Sequence, residues 1–469
     1  MRSNPLKFSE PCHLLELCYG CMMSLCKPCR WLSLLAGGCC WCVQLAHADL
    51  WCAGYFPGWE QGGMPASNID FSVVTQVIHF SVLPNVDGTL DTNGNSITPA
   101  YTADVVSRAH AANRQALICV GGAGTSFQSA VSNLYLATFI THLTNFMAVG
   151  GYDGIDVDWE PLNDSDRPLY TNFITHLRTA LDQFNTHKLL TAPVPPDTTP
   201  SILAAVQSKF DQINLMTYDI SGPWEGWQTW YNSPIYNEGI MFASTPGEYV
   251  PSIDAYVEKF LESGITANKL GIGIPFYGYI WLGGTGATTG GVTQPSQTWS
   301  TAPTLNDCSY NDLMGSNFPA ALYHYDSGAQ APYFSVTNSQ AGNDMFISFD
   351  DPRSVAAKVS YARNRGLGGF IIWELSQDHQ AKKPDPLLQS IKQTLATPGR
   401  LGLNRAVQNI SLTFTSAPLG SYQVQWSSNL TAWNSLLATN VSLTWTGGVI
   451  QATDSIAQPH RVYRVKTPP

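Results

Sequence analysis

Short, β-prone apolar runs recur along this chain, and amphipathic stretches lie between most of them. The runs are LWCAGYF (50–56), QVIHFSVL (76–83), QALICVGG (115–122), GIDVDWE (154–160), KLLTAPV (188–194), DQINLMTYD (211–219), KLGIGIPFYG (269–278) and LGGFIIWE (367–374). Between them, AYTADVVSRAHAAN (100–113) and PLYTNFITHLRTALDQFN (168–185) carry apolar residues at helical spacing. Eight strands alternating with helices predict an α/β fold, a (β/α)8 TIM barrel over 49–397. An open doubly wound sheet alternates in the same way. Eight repeats of the unit without a Gly-rich dinucleotide loop favour the barrel.

One gap breaks this rhythm. Roughly ninety residues separate the seventh and eighth runs, where two to six are usual. The segment is rich in Gly, Thr, Tyr and Pro and predicts an inserted β-rich α+β subdomain at about 281–346, rising from the C-terminal face of the barrel. After residue 397 the pattern changes again. A linker-like stretch, PGRLGLNRAVQN, precedes alternating runs in which Tyr422, Val424 and Trp426 share one face. Residues 398–469 therefore predict a linker and a small C-terminal β-sandwich.

Of 469 residues, 44% are hydrophobic and 12% charged, with 14 Trp, 20 Tyr and 19 Phe, ample for a large core. Exposed aromatic faces are also what sugar rings stack on. A net charge of −10 and the lack of any Lys/Arg run argue against nucleic acid or anionic membrane surfaces as partners.

Eight of the 11 cysteines precede residue 48. Cys18-x-x-Cys21 and Cys26-x-x-Cys29 have the spacing of a metal knuckle. Their surroundings read differently: Lys27 and Arg30, an apolar run from Trp31 to Leu45, then Ala46-His47-Ala48. That is the layout of a secretory signal peptide, so 1–48 is expected to be removed and the remainder secreted. Cys52, Cys119 and Cys308 are too few for a disulfide framework. No later stretch is apolar for long enough to span a bilayer, so no membrane attachment is expected after cleavage.

The candidate chemistry lies in GYDGIDVDWEP, 151–161. Alternate residues of a strand face the same side. Asp156, Asp158 and Glu160 therefore line one face, and Ile155, Val157 and Trp159 the other. Inside a barrel the acids would climb toward its C-terminal mouth, with Cα atoms roughly 6.6 Å apart. Not all three can ionise in a low-dielectric site, so a proton is shared and the pKa values are driven apart. A raised pKa on the outermost acid suits a general acid near neutral pH. The alternatives are a hydrogen-bonded buried acid network, or a divalent metal site lacking further ligands. There is no HExxH, GKS/T loop or GxSxG, and neither a metal nor a cofactor is expected.

DGIDVDWE resembles the D-x-x-D-x-D-x-E signature of family 18 glycoside hydrolases, the chitinases and their relatives. Further segments resemble the family in order: GYFPGW (54–59), CVGG (119–122), MTYD (216–219) with GPW (222–224), PFYG (275–278), FISFDDPRSVAAKV (346–359) and GGFIIWELSQD (368–378). The resemblance covers about 50–395. It implies hydrolysis of β-1,4 N-acetylglucosamine linkages in chitin or chitooligosaccharides, with retention and assisted by the substrate. Glu160 would protonate the leaving oxygen, and Asp158 would orient the 2-acetamido group and stabilise its charge. Asp156 and Asp153 would tune Asp158. Tyr218 would hydrogen-bond the acetamido carbonyl, with Met216 and Asp219 shaping the same pocket. Trp373 would floor the site, and Tyr55, Trp224 and Tyr277 would complete the substrate-binding set. A monomer is expected.

The chain departs from the family pattern at Cys119, where Ser is usual, at Ala123, where an aromatic often stands, and at Tyr279, where Arg is usual. Cys is a weaker donor than Ser. Three rival readings remain: an endo-β-N-acetylglucosaminidase acting on glycoprotein chitobiose cores, a non-hydrolytic chitin-binding lectin-like protein, and a surface protein dominated by its C-terminal module. The lectin-like relatives lose the terminal acid, which Glu160 supplies here.

Overall fold

A computed structural model of the chain describes residues 50–396 apart from 126, 287–289 and 381–384, and the strand backbone at 402–406, 409–415, 423–427, 434–435, 444–446, 449–455 and 462–466. The expected signal peptide at 1–48 lies outside the described residues.

In chain order the elements are β1 (Trp51–Pro57), β2 (Gln76–Pro84), the short β3 (Leu90–Asp91), α1 (Pro99–Ala111), β4 (Gln115–Ala123), α2 (Phe127–Ala130), α3 (Leu136–Gly150), β5 (Gly154–Glu160) and α4 (Arg167–Leu181). Then come β6 (Leu189–Val194), α5 (Pro200–Val206), β7 (Gln212–Leu215), α6 (Ile253–Glu262), β8 (Leu270–Pro275) and β9 (Tyr277–Leu282). They are followed by β10 (Thr304–Ser309), α7 (Tyr310–Gly315), β11 (Tyr323–Asp326), β12 (Ala331–Val336), β13 (Met345–Ser348), α8 (Pro352–Asn364), β14 (Gly369–Trp373) and α9 (Pro386–Ala396). Parallel pairing runs β1-β14-β8-β7-β6-β5-β4-β2, and β2 closes onto β1. This is the expected eight-stranded barrel.

Local sequence explains the helices. In α4, Tyr170, Phe173, Ile174, Leu177 and Leu181 fall on one stripe and are buried. Thr98 caps α1 by accepting from Tyr101 N, and α3 ends at Gly151, whose φ of +74° a glycine adopts without strain. The core has two layers. Between barrel and helices, Trp159 stacks on Phe127 at 4.7 Å and packs edge-on to Tyr170. Inside the barrel, Ala53, Tyr55, Ile78, Phe80, Leu117, Cys119 and Ile371 form a separate apolar cluster.

The seventh run divides where the sequence shows no break. Its first part, β8, stays in the barrel. From Tyr277 the chain turns into β9, the middle of a five-stranded antiparallel sheet ordered β10-β9-β13-β12-β11. The insertion therefore begins at 277 rather than 281 and ends with β13 at 348. A second irregular segment was not anticipated. Residues 216–252, between β7 and α6, form no regular element beyond one bridge between Met241 and Tyr249. Trp230, Tyr231, Phe242 and Val250 of this loop are buried against Trp281 and Phe346 of the inserted sheet. That contact, not periodicity, gives the loop its shape.

In the C-terminal segment, β15 (Gly402–Ala406), β16 (Asn409–Thr415), β17 (Gln423–Ser427), β18 (Asn434–Ser435), β19 (Thr444–Thr446), β20 (Val449–Ser455) and β21 (Val462–Lys466) form two antiparallel sheets, β15-β16-β20-β19 and β18-β17-β21. β15 falls within the stretch expected to be linker. No helix among the described residues is long and apolar enough to cross a membrane.

Candidate active site

The acid strand is β5, and its register with β4 sets Asp156 beside Cys119, Asp158 beside Gly121 and Glu160 beside Ala123. Gly121 has a φ of +113°, and a Cβ there would meet the Asp158 carbonyl at 2.0 Å, so only glycine lets β4 approach this closely. The three acids point into the barrel. Asp156 is 0% exposed and Asp158 3%, while Glu160 reaches the C-terminal mouth partly exposed.

Asp156 is held by three donors. The Tyr55 hydroxyl donates to Oδ2 at 2.8 Å, the Thr191 hydroxyl to Oδ1 at 2.5 Å, and the Cys119 thiol also bonds to the carboxylate. Burial nonetheless pushes Asp156 up to about 6. Asp158 is pushed well above the carboxylate range, first by burial and then by the charges of Glu160 and Asp156. A side-chain hydrogen bond joins it to Glu160, raising Asp158 and lowering Glu160. Burial still leaves Glu160 above its usual value, with Asp219 and Asp197 adding to the rise. Asp158 Oδ1 is buried without a hydrogen-bond partner.

The wall beside Glu160 follows β7. Tyr218 is buried, and its ring occupies space that a side chain at Gly273 would fill, since a Cβ there would lie 2.5 Å from it. Asp219 has a φ of +57°, a conformation acidic residues adopt more readily than most. Its backbone N–H donates to Asn232 Oδ1 at 2.7 Å. Its Oδ1 accepts from the hydroxyls of Tyr277 at 2.5 Å and Tyr279 at 2.8 Å. Burial raises Asp219 despite these donors. Met216 packs with the barrel-interior cluster, as does Trp373. The Trp373 ring lies 5.4 Å from Tyr55 and 4.8 Å, edge-on, from Phe80. Trp224 stands half-exposed on the 216–252 loop, edge-on to Trp227 at 4.5 Å.

One expected site residue lies elsewhere. Asp153 precedes β5 and has the opposite parity from Asp156. Its Oδ2 accepts from Ala116 N at 2.9 Å and faces His110 Nε2 at 2.9 Å. Asp153 and Glu160 are about 23 Å apart along the strand. Asp153 is therefore neither a substrate contact nor a direct support for Asp158: it anchors the N-terminal end of the strand. Conversely, Thr191, Asn232 and Asp197 were not singled out from the sequence. Thr191 faces Asp156 through the β5–β6 register, which a single sequence does not display. Among the described residues, no group of three His, Cys, Asp or Glu side chains is placed to hold a metal ion. Cys52, Cys119 and Cys308 are free thiols.

Residues 52–378 match the profile of glycosyl hydrolases family 18. Chitinase A1 of Niallia circulans is 30% identical over 312 residues, covering 61% of this chain and 43% of that protein. Chitinase 1 of Aphanocladium album is 28% identical over 306 residues, covering 61% of this chain and 66% of that one. The chain thus spans less than two thirds of the length of these relatives. Among solved structures, Ostrinia furnacalis Group IV chitinase superposes with a TM-score of 0.62 at 22% identity, over 74% of this chain and all of the other, a likeness of fold.

Proposed function

We propose that this chain, which belongs to the glycosyl hydrolases of family 18, cleaves β-1,4 N-acetylglucosamine linkages in chitin or chitooligosaccharides with retention of configuration. The reading rests above all on the row of acids that β5 sends into the barrel, with Asp158 buried and hydrogen-bonded to Glu160 at the mouth. The proton shared by this pair passes from Glu160 to the glycosidic oxygen, so the leaving sugar departs neutral. The acetamido carbonyl oxygen of the sugar on the non-reducing side attacks the anomeric carbon, and the C–O bond breaks as the C1–oxygen bond of the ring forms. Asp158 Oδ1, buried and unpartnered, accepts from the acetamido N–H and stabilises the positive charge of the cyclic oxazolinium ion. Tyr218 donates to the acetamido group, and Trp373 supports the sugar face. Water, deprotonated by Glu160, opens the ring from the opposite side, and the two inversions give a β product. With a signal peptide expected at 1–48, the proposed site of action is outside the cell.

Glu160→Gln keeps the shape of the acid and removes its proton. Turnover of N-acetylated chitooligosaccharides is expected to fall about 10²–10⁴-fold while their binding persists. NMR of fresh products from partly deacetylated chitosan reads the mechanism. New reducing ends are expected to be N-acetylated and β. Glucosamine ends, an initial α-anomer, or wild-type turnover by Glu160→Gln each reject it. Cleavage of a glycoprotein but not of chitooligosaccharides would reassign the substrate.

A further inference from the structure

Behind the wall that carries Tyr218, away from the acid strand, lies a fully buried lysine. Lys358 belongs to α8, is 0% exposed, and forms an ion pair with Asp350 Oδ2. Asp350 Oδ1 accepts from the Ser354 hydroxyl at 2.5 Å. Taking both charges out of water is costly unless every polar atom finds a partner, and the ammonium has a second one. It donates to Ser233 Oγ at 2.7 Å, and Ser233 Oγ donates to the Thr217 carbonyl at 2.6 Å. Thr217 lies between Met216 and Tyr218. Its own hydroxyl donates to Gly273 O at 3.0 Å and accepts from Gly273 N at 2.9 Å, fixing the turn to β8. A parallel connection begins one residue earlier. Asn232 N donates to Ser348 Oγ at 2.8 Å, and Asn232 Oδ1 accepts from Asp219 N. Asn232 and Ser233 thus grip the turn from both sides of Tyr218, and both are tied to the segment that runs from β13 into α8.

We propose that Lys358 and Asp350, acting through Ser233, are positioning residues that hold the Met216–Asp219 turn, and with it Tyr218 and Asp219, in the geometry that substrate meets. Three observations carry this. The turn contains a non-glycine residue at positive φ, Asp219, a sparsely populated conformation that the surroundings help to hold. Residues 216–252 form no regular element beyond one bridge, so backbone ladders do not supply that constraint. Lys358 donates its second hydrogen bond to this loop, at Ser233. The proposal rests on Tyr218 and Asp219 binding substrate, as read under Proposed function.

The test compares wild type, Ser233→Ala, Ser233→Thr and the double variant Asp350→Asn/Lys358→Met on a chromogenic chitooligosaccharide, with thermal midpoints recorded alongside. Ser233→Ala removes the link and leaves the ion pair. It is expected to lower the midpoint modestly, because the buried ammonium and the Thr217 carbonyl each lose a partner, and to lose about tenfold or more in kcat per folded molecule, with KM changed much less, because a small misplacement of binding groups is costly in the transition state. Ser233→Thr restores the hydroxyl and is expected to recover most of the loss. The double variant removes both charges together, leaving neither buried alone, and is expected to show the same loss per folded molecule. An active wild type with unchanged kcat in Ser233→Ala, or losses that only follow the folded fraction, overturns the positioning role alone. A wild type inactive on every chitooligosaccharide overturns the reading under Proposed function, and the positioning role falls with it.

Discussion

The Tyr279 hydroxyl donates to Asp219 Oδ1 at 2.8 Å, joining the inserted sheet to the turn that bears Tyr218. Tyr277, two residues earlier on β9, donates to the same oxygen. Two phenols hold this carboxylate, and burial raises Asp219 above its usual value. Tyr279→Phe leaves Tyr277 in place. It is expected to lower kcat/KM about three- to tenfold, the worth of one ordinary hydrogen bond. Tyr277→Phe/Tyr279→Phe is expected to cost more than the two single changes together, because Asp219 Oδ1 then has neither phenol. Steady-state kinetics of the three variants checks this, and simple additivity would show that the phenols act separately.

Asp219 in turn acts on Glu160, the proposed general acid, since its charge helps raise it. Glu160 must carry a proton to act, so activity falls as pH rises through its pKa. Asp219→Asn removes the charge and keeps an oxygen for the phenols. The alkaline limb of the kcat/KM profile is expected to move to lower pH. A limb that stays in place, or moves up, disproves the coupling.

At Cys119 the thiol bonds to Asp156. A hydroxyl donates more strongly. Cys119→Ser is expected to lower the pKa of Asp156 and, through the greater negative charge, to raise Asp158. Activity should be equal or higher, with a shifted pH optimum. Loss of most activity in a folded Cys119→Ser would mean that the pocket is built around sulfur.

Asp378 offers a test of stability. It is 0% exposed, its Oδ2 accepts from Leu388 N at 2.9 Å, and burial pushes it up to about 8. An acid whose folded pKa is raised contributes stability that is full below its unfolded value, near 3.8, and is lost as pH rises toward about 8. The loss approaches about 1.4 kcal/mol per pH unit over that window. Asp378→Asn can keep the acceptor and has no proton to lose. Its thermal midpoint is expected to gain on wild type between pH 5 and pH 8, with no further gain above. A difference independent of pH would reject the raised pKa.

By itself the sequence determined the period of the chain. Strands fully buried in a parallel barrel read as apolar runs, and the helices over them as amphipathic stretches, because burial selects residue type locally. It determined the facing of β5 too, since alternation alone sends Asp156, Asp158 and Glu160 one way and Trp159 the other. The same alternation should have excluded Asp153, whose odd parity sends it away from Asp156. Only the tertiary structure decided which partners those acids have. Thr191, Tyr55 and Cys119 reach Asp156 because strand register and barrel closure bring three other strands to it, and register depends on pairings between residues far apart in the chain. The same holds for the 216–252 loop. Its backbone has no periodicity to read, and its conformation is imposed by aromatic contacts with the inserted sheet and by hydrogen bonds relayed from Lys358, 125 residues from Ser233 in sequence. Local pattern records what each segment buries, while the fold alone sets which buried groups meet.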